Sequence, residues 1–270
     1  MNPLHPLLNL AVSAARAAAN LIRQAAQNPD TLQIRLKQPN DFVTQVDLAS
    51  EQVIVATLLK AFPGHSVRSE ESKQPHGTVG SDHVWIVDPL DGTSNFIHGY
   101  PAYAVSIALS VRGRIEHGVV LDAFNGDLFH ASLGGGAWRN DERLSVASRP
   151  GLDGALLATS CPYRPGPAFA PSIKMLSEVM LRVAGIRRSG SAALDLAWTA
   201  AGRADGCFDL GLNAWDVAAG SLLVTEAGGR VGNFRGEADF LETRECLAAN
   251  PAVFAALTEV LQPFAAPRPS

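Results

Sequence analysis

Trp85-Ile86-Val87-Asp88-Pro89-Leu90-Asp91-Gly92-Thr93-Ser94-Asn95 changes character abruptly at its fourth residue. Val84 to Val87 is an apolar run, largely β-branched or aromatic, and predicts a buried strand. Acid, proline, acid, glycine and hydroxyl follow. Proline has no amide hydrogen to give a sheet ladder, so the strand is expected to end at Asp88. Gly92 permits a backbone conformation closed to other residues. Thr93 and Ser94 suit a helix start, where hydroxyls meet free amides. Two carboxylates three residues apart, between a strand end and a helix start, set a cation site beside an anion site. That pairing points to a divalent metal holding a phosphate. Asp-Gly after a strand is also ordinary turn chemistry; the acids elsewhere in the chain favour the metal.

Working outward, 270 residues can bury a substantial core, and 47% hydrophobic with 18% charged residues is a globular composition. Lys plus Arg is 22 against 26 for Asp plus Glu, a net charge of −4, which does not favour a nucleic-acid backbone as principal ligand. No basic segment leads into an apolar core and cleavage site, and no apolar run reaches membrane-spanning length. Cys161, Cys207 and Cys246 form neither an even framework nor a CxxC pair. The expectation is a cytoplasmic, disulfide-free protein with no membrane partner.

Residues 4–27 carry Ala and Leu at helical spacing and predict an amphipathic helix, ended by Asn28-Pro29-Asp30. Leu32, Ile34 and Leu36 alternate as a short strand does. Thr44 and Asp47 resemble a capping box at the head of a helix running to Phe62, with Asp41 and Asp47 as acids favoured at a helix start. A short strand leads to Ser69-Glu70-Glu71-Ser72. Lys73 to His83, with His76 and His83, reads as a mobile loop beside the site. Tyr103 to Val111 alternates like a half-buried strand, and Ile115 to Leu121 is another. Asn125-Gly126 between apolar runs signals a hairpin. Leu133 to Ala137 is glycine-rich but lacks the lysine of a nucleotide loop. The middle of the chain is therefore an antiparallel meander.

Further on, Ala155 to Ala158 predicts a strand, Pro162 to Pro171 an irregular loop, and Ser172 to Val183 a helix. A short strand is expected near Ile186. Gly190-Ser191-Ala192-Ala193-Leu194-Asp195 opens another helix, whose free amides suit either a ligand or close packing. Asp205 to Leu210 reads as a strand, and Asn213-Ala214-Trp215-Asp216 starts an Ala-rich helix to Glu226 with Asp216 in its first turn. Cys246 to Ala249 and Pro251 to Leu261 read as the last strand and helix. No internal repeat or long linker divides the chain, so one domain over 1–265 and a frayed tail over 266–270 are expected.

Glu70-Glu71, Asp88-Pro89-Leu90-Asp91-Gly92-Thr93 and Trp215-Asp216-Val217-Ala218-Ala219-Gly220, in this order, resemble the inositol monophosphatase family, most closely its bacterial members. Asp41-Phe42-Val43-Thr44 with Asp47, and Gly190 to Asp195, extend the likeness over nearly the whole chain. The resemblance implies an α/β fold, a layered αβαβα sandwich, and Mg²⁺-dependent, Li⁺-sensitive hydrolysis of small phosphate monoesters by a homodimer. It implies that Glu70, Asp88 and the Leu90 carbonyl hold one Mg²⁺, and Asp88, Asp91 and Asp216 a second. A third ion would lean on Glu70 and water. Asp47 and Thr93 would relay the proton of the attacking water, and the Gly92 and Thr93 amides would take phosphate oxygens. Asp91, Ser191, Ala192, Asp209 and Asp216 would meet the substrate, and Lys37 would stand near the metal-binding glutamate.

Some positions depart from the family pattern. Ser69 replaces a common glycine and Ser94 a threonine. Asp209 replaces a substrate-contacting glutamate, and Asn213 a larger polar or basic residue. The last two leave the alcohol open among inositol, fructose bisphosphate, nucleotide and histidinol phosphates. Bacterial members are also associated with RNA polymerase and ribosomal RNA transcription complexes, an alternative role as a binding partner. The basic cluster Arg182, Arg187 and Arg188 is read as surface or interface arginines.

Overall fold

The computed structural model describes residues 4–38, 41–160 and 169–266. The expected Pro-rich loop falls largely outside them, as do Cys161 and the tail from Pro267. The first helix, α1 (Pro6–Ala26), begins with proline at its first position, where no amide is needed. It buries a stripe of small residues including Ala11, Ala14, Ala15 and Ala18. β1 (Ile34–Gln38) and β2 (Asp41–Thr44) form a separate two-stranded antiparallel ribbon. Asp41 therefore belongs to a strand, not to a helix start: the backbone pairs with β1 until Thr44 caps α2 (Gln45–Ala61). The Thr44–Asp47 capping box is present in full.

The main sheet holds eight strands: β3 (Ser66–Ser69), β4 (His76–Gly77), β5 (His83–Asp91), β6 (Ala104–Val111), β7 (Arg114–Asp122), β8 (Leu128–Ser132), β9 (Gly136–Arg139) and β10 (Glu142–Arg143). Their order is β10-β9-β8-β7-β6-β5-β3-β4, antiparallel except for β3 on β5. The expected meander is present, with Gly126 at positive φ in the β7–β8 turn. His76–Gly77 pairs with β3, so part of the expected loop is a sheet edge.

Two expectations about these strands need correction. β5 does not end at Asp88 but continues to Asp91, with a break in register between the two. Pro89 lies inside that break, where the ladder asks it for no hydrogen. β6 is not half-buried: its alternating Ala104, Ser106 and Ala108 are buried too. They are small because a helix lies on them. A Cβ at Gly118 of β7 would stand 2.8 Å from the Ala219 carbonyl of that helix.

The second sheet has five strands, β11 (Leu156–Ala158), β12 (Gly185–Arg187), β13 (Gly206–Leu210), β14 (Arg230–Gly232) and β15 (Glu245–Ala249), in the order β12-β11-β13-β15-β14. The helices are α3 (Thr93–His98), α4 (Phe169–Met180), α5 (Ala192–Ala200), α6 (Ala214–Glu226), α7 (Phe240–Thr243) and α8 (Pro251–Leu261). Sequence periodicity gives no sign of the short β14 and α7. One apolar cluster joins α1 and α2 to Val87, Val105, Ile107 and Val119 on one face of the large sheet. A second fills the space between the sheets around α5 and α6. The third joins Leu157, Phe208 and Leu247 to α4 and α8. The layers are thus α1/α2, large sheet, α5/α6, small sheet, α4/α8: the αβαβα sandwich. No helix among the described residues is long and apolar enough to cross a membrane. Cys207 and Cys246 are buried free thiols.

Candidate active site

Glu70, Asp88, Asp91 and Asp216 line one cavity of about 590 Å³, reached from three elements. Asp88 and Asp91 flank the register break at the end of β5. Glu70 follows β3, and its amide donates to the Val87 carbonyl at 3.2 Å. Asp216 is the third residue of α6.

Main-chain amides aim three of the carboxylates. Leu90 N donates to Asp88 Oδ1 at 3.0 Å, and Asn213 N to Asp216 Oδ2 at 2.6 Å. Asp91 Oδ2 accepts from Ser191 Oγ at 2.6 Å and Ala193 N at 2.8 Å. The second oxygens of Asp88 and Asp216 accept no hydrogen bond from a described residue and remain open to the cavity. Burial is the largest reason that Asp88, Asp91 and Asp216 have raised pKa values, and neighbouring carboxylate charge adds to it. Asp91 is pushed up to about 6, held back by its bonds from Ser191 and Ala193.

Carboxylates that oppose one another's charge in a buried cavity suit a hard divalent cation with oxygen ligands. Among the described residues, no three such side chains are yet gathered at coordinating distance. Glu70 is turned aside: Lys37 Nζ lies 3.0 Å from Glu70 Oε1 and 2.6 Å from Glu71 Oε1. Burial works against the Lys37 charge, but the two glutamates outweigh it and keep the ammonium protonated. The donor set of Glu70, Asp88, Asp91 and Asp216, all lining one cavity, fits a hard cation.

Asp47 divides its carboxylate. Oδ2 accepts from Thr44 N at 2.8 Å and Thr44 Oγ1 at 2.6 Å, while Oδ1 stands 2.9 Å from Thr93 Oγ1. Burial raises its pKa against the opposing effect of these bonds. Thr93 lines the cavity; Asp47 lies behind it. Gly92 caps α3 at φ 88°, and a Cβ there would sit 2.8 Å from the Ala102 carbonyl. With six residues, α3 is too short to offer much macrodipole, so any anion there would meet the amides themselves.

On the other wall, Asp209 accepts from Thr159 Oγ1 at 3.3 Å and from Ser160 N. Burial pushes its carboxyl up to about 7. Ala192 lines the cavity, whereas Ser191 is fully buried and acts on Asp91. Asn213, Arg188 and Arg244 complete this side. His83 stacks on His65 at the far end of β5 and is not brought to the site.

Sequence reasoning overlooked Glu51, whose buried carboxylate accepts from Ser69 Oγ, Ser72 Oγ and, at 3.0 Å, Glu71 N. It therefore holds the loop that carries Glu70, with His76 Nε2 3.6 Å away. The one available signal was its place four residues after Asp47, on the same face of α2. Arg244 was overlooked as well, and nothing in the sequence marks it.

A family model described as the inositol monophosphatase family matches residues 3–264. The chain belongs to the inositol monophosphatase family. A protein of Pseudomonas aeruginosa named Nus factor SuhB is 46% identical over 267 residues, covering 98% of each chain. The crystal structure of extragenic suppressor protein suhB from Bartonella henselae matches with a TM-score of 0.92 at 41% identity, over 96% of this chain and 99% of that one. An inositol monophosphatase from Anabaena matches with a TM-score of 0.83 at 34% identity, over 97% and 96%. Membership in the inositol monophosphatase family supports a phosphatase and, more generally, a metal-dependent site.

Proposed function

We propose that this chain is a Mg²⁺-dependent, Li⁺-sensitive phosphomonoesterase that hydrolyses inositol monophosphate and related small polyol phosphates as a homodimer. The observation that carries the reading is the convergence of Glu70, Asp88, Asp91 and Asp216 on one cavity, with Asp88, Asp91 and Asp216 raised in pKa by burial and by neighbouring carboxylates, Glu70 among them. Glu70, Asp88 and the Leu90 carbonyl would hold one Mg²⁺, Asp88, Asp91 and Asp216 a second, and Glu70 with water a third. Bound there, Mg²⁺ would supply Lewis acidity and a more acidic water.

The remaining work falls to side chains. The Thr93 hydroxyl lies 2.9 Å from Asp47 Oδ1 and 3.1 Å from the Leu90 carbonyl; donating to Asp47, it would accept a proton from the attacking water while passing its own to the carboxylate. Asp47, fixed by Thr44 and raised in pKa by burial, is a better proton acceptor than an exposed aspartate. The Gly92 and Thr93 amides take phosphate oxygens. Ala192 and Asp209 face the alcohol, with Ser191 setting the angle of Asp91.

The test is phosphate release by the purified protein with Mg²⁺ from inositol, sugar, nucleotide and histidinol phosphates. Inositol 1-phosphate should rank among the best substrates, and Asp216→Asn should lower kcat at least ~100-fold. Failure to release phosphate from any of them would end the reading. The Nus factor name of the Pseudomonas relative favours a second role, association with RNA polymerase. Asp216→Asn separates the two: lost hydrolysis with retained polymerase binding would establish the second role.

A further inference from the structure

Arg244 adopts φ 58° and ψ 25°, a left-handed geometry that costs any residue with a side chain. Held strain of this kind, found beside a candidate site, invites the question of what it positions. The turn throws the side chain back over the loop that leads into α6. Nε donates to the Leu212 carbonyl at 3.0 Å, and Nη2 donates to the Gly211 carbonyl and, at 3.1 Å, to Asn213 Oδ1. Gly211 N returns a bond to the Arg244 carbonyl at 2.7 Å. These contacts set the guanidinium in the wall of the active-site cavity, on the side of Asn213 and Asp209.

Nη1 makes no hydrogen bond among the described residues, so one edge of the fork is unused. A loop clamp alone would not need a permanent charge. A guanidinium with an open edge, exposed at the wall of the cavity, is suited to a phosphate, whose oxygens match its planar donors. Arg188 lines the same cavity, and its positive charge acts on Asp209. Asn213 stands where the family resemblance expects a larger polar or basic residue. Here the cation comes from a different segment and rests on Asn213 itself.

We propose that Arg244 is a specificity-determining residue that holds a second phosphate on the alcohol half of the substrate, so that polyol bisphosphates are preferred over the matching monophosphates. The inference rests on the phosphatase reading above and moves its preferred substrate from the monophosphate to the bisphosphate of a polyol. Water cleaves one phosphate ester, giving inorganic phosphate and the alcohol, and the phosphate on Arg244 leaves with that alcohol unchanged.

The test is steady-state kinetics with Mg²⁺ on two matched pairs: inositol 1-phosphate with inositol 1,4-bisphosphate, and fructose 1-phosphate with fructose 1,6-bisphosphate. The parent should show the higher kcat/KM on the bisphosphate of at least one pair. Arg244→Met should lower the bisphosphate-to-monophosphate ratio at least ~10-fold, mainly through KM, with Arg244→Lys falling between. A ratio that Arg244→Met leaves unmoved overturns the inference and reduces Arg244 to a loop clamp. A parent that cleaves the monophosphates better in both pairs also overturns it, while the phosphatase reading stands. Phosphate release from none of the four removes that reading and this inference with it. Should Arg244→Met not fold, Arg244→Lys keeps the charge and stem, and its ratio should still fall at least ~3-fold.

Discussion

Asp209→Asn should make the protein more stable, and by an amount that depends on pH. Burial lifts the Asp209 carboxyl from its ordinary 3.8 to about 7. A carboxyl with a raised folded pKa binds its proton more tightly in the native state than in the unfolded chain. The native state is therefore unpenalised below the unfolded pKa and loses stability as pH rises through the folded one. With these two values, the cost is about 2 kcal/mol at pH 5 and about 4 kcal/mol at pH 8. Asparagine removes the charge but keeps Oδ1, the atom that accepts from Thr159 Oγ1 and Ser160 N. Its new amide hydrogens meet the cavity that Asp209 lines. Urea denaturation of parent and variant in EDTA, at pH 5 and pH 8, reads the difference directly. The variant's advantage should widen by about 2 kcal/mol between the two, or roughly 5 °C in Tm. An advantage that is the same at both pH values, or a variant less stable than the parent at pH 8, would refute the burial argument. Stability gained at the substrate wall should come with a raised KM, the usual exchange at a strained site.

Mg²⁺ at millimolar concentration should raise the Tm of the parent and leave Asp88→Asn unmoved, measured by scanning fluorimetry; an equal rise in both would place the binding elsewhere. Glu51→Ala strands the Ser69 and Ser72 hydroxyls and the Glu71 amide, and should cost about 2–4 kcal/mol in urea, with Glu51→Gln costing less. A loss within experimental error would mean that the loop finds other partners. Gly220→Ala should destabilise by about 1–3 kcal/mol, because its Cβ would fall 2.4 Å from Leu196 Cβ where α5 and α6 touch. A neutral result would show that the helices can move apart.

Local rules carried the sequence reading a long way. The Thr44–Asp47 box and the Asn125-Gly126 hairpin depend on neighbours within a few residues, and both are present. The end of β5 was misread because the absence of an amide on Pro89 matters only if the ladder needs one there, and that is decided by β6. β6 was misread because alternating small and large residues describe equally well a strand with one wet face and a strand under a close-packed helix. That the four acids share a cavity was legible through family resemblance; spacing along the chain could not supply it, since β5 and α6 meet only through packing. Glu51 reaches partners 18 to 21 residues away, and Arg244 about 30 residues back along the chain, beyond any periodic signal.

The split carboxylate of Asp47 ties two jobs to one group. One of its oxygens anchors the first turn of α2, while the other touches the hydroxyl that faces the reaction. Neither duty can be tuned alone: a longer arm would misplace the hydroxyl contact, and an amide would turn one acceptor into a donor. Variation at this position is therefore closed off twice over, and a protein that abandoned catalysis would still be pressed to keep the aspartate for its architecture.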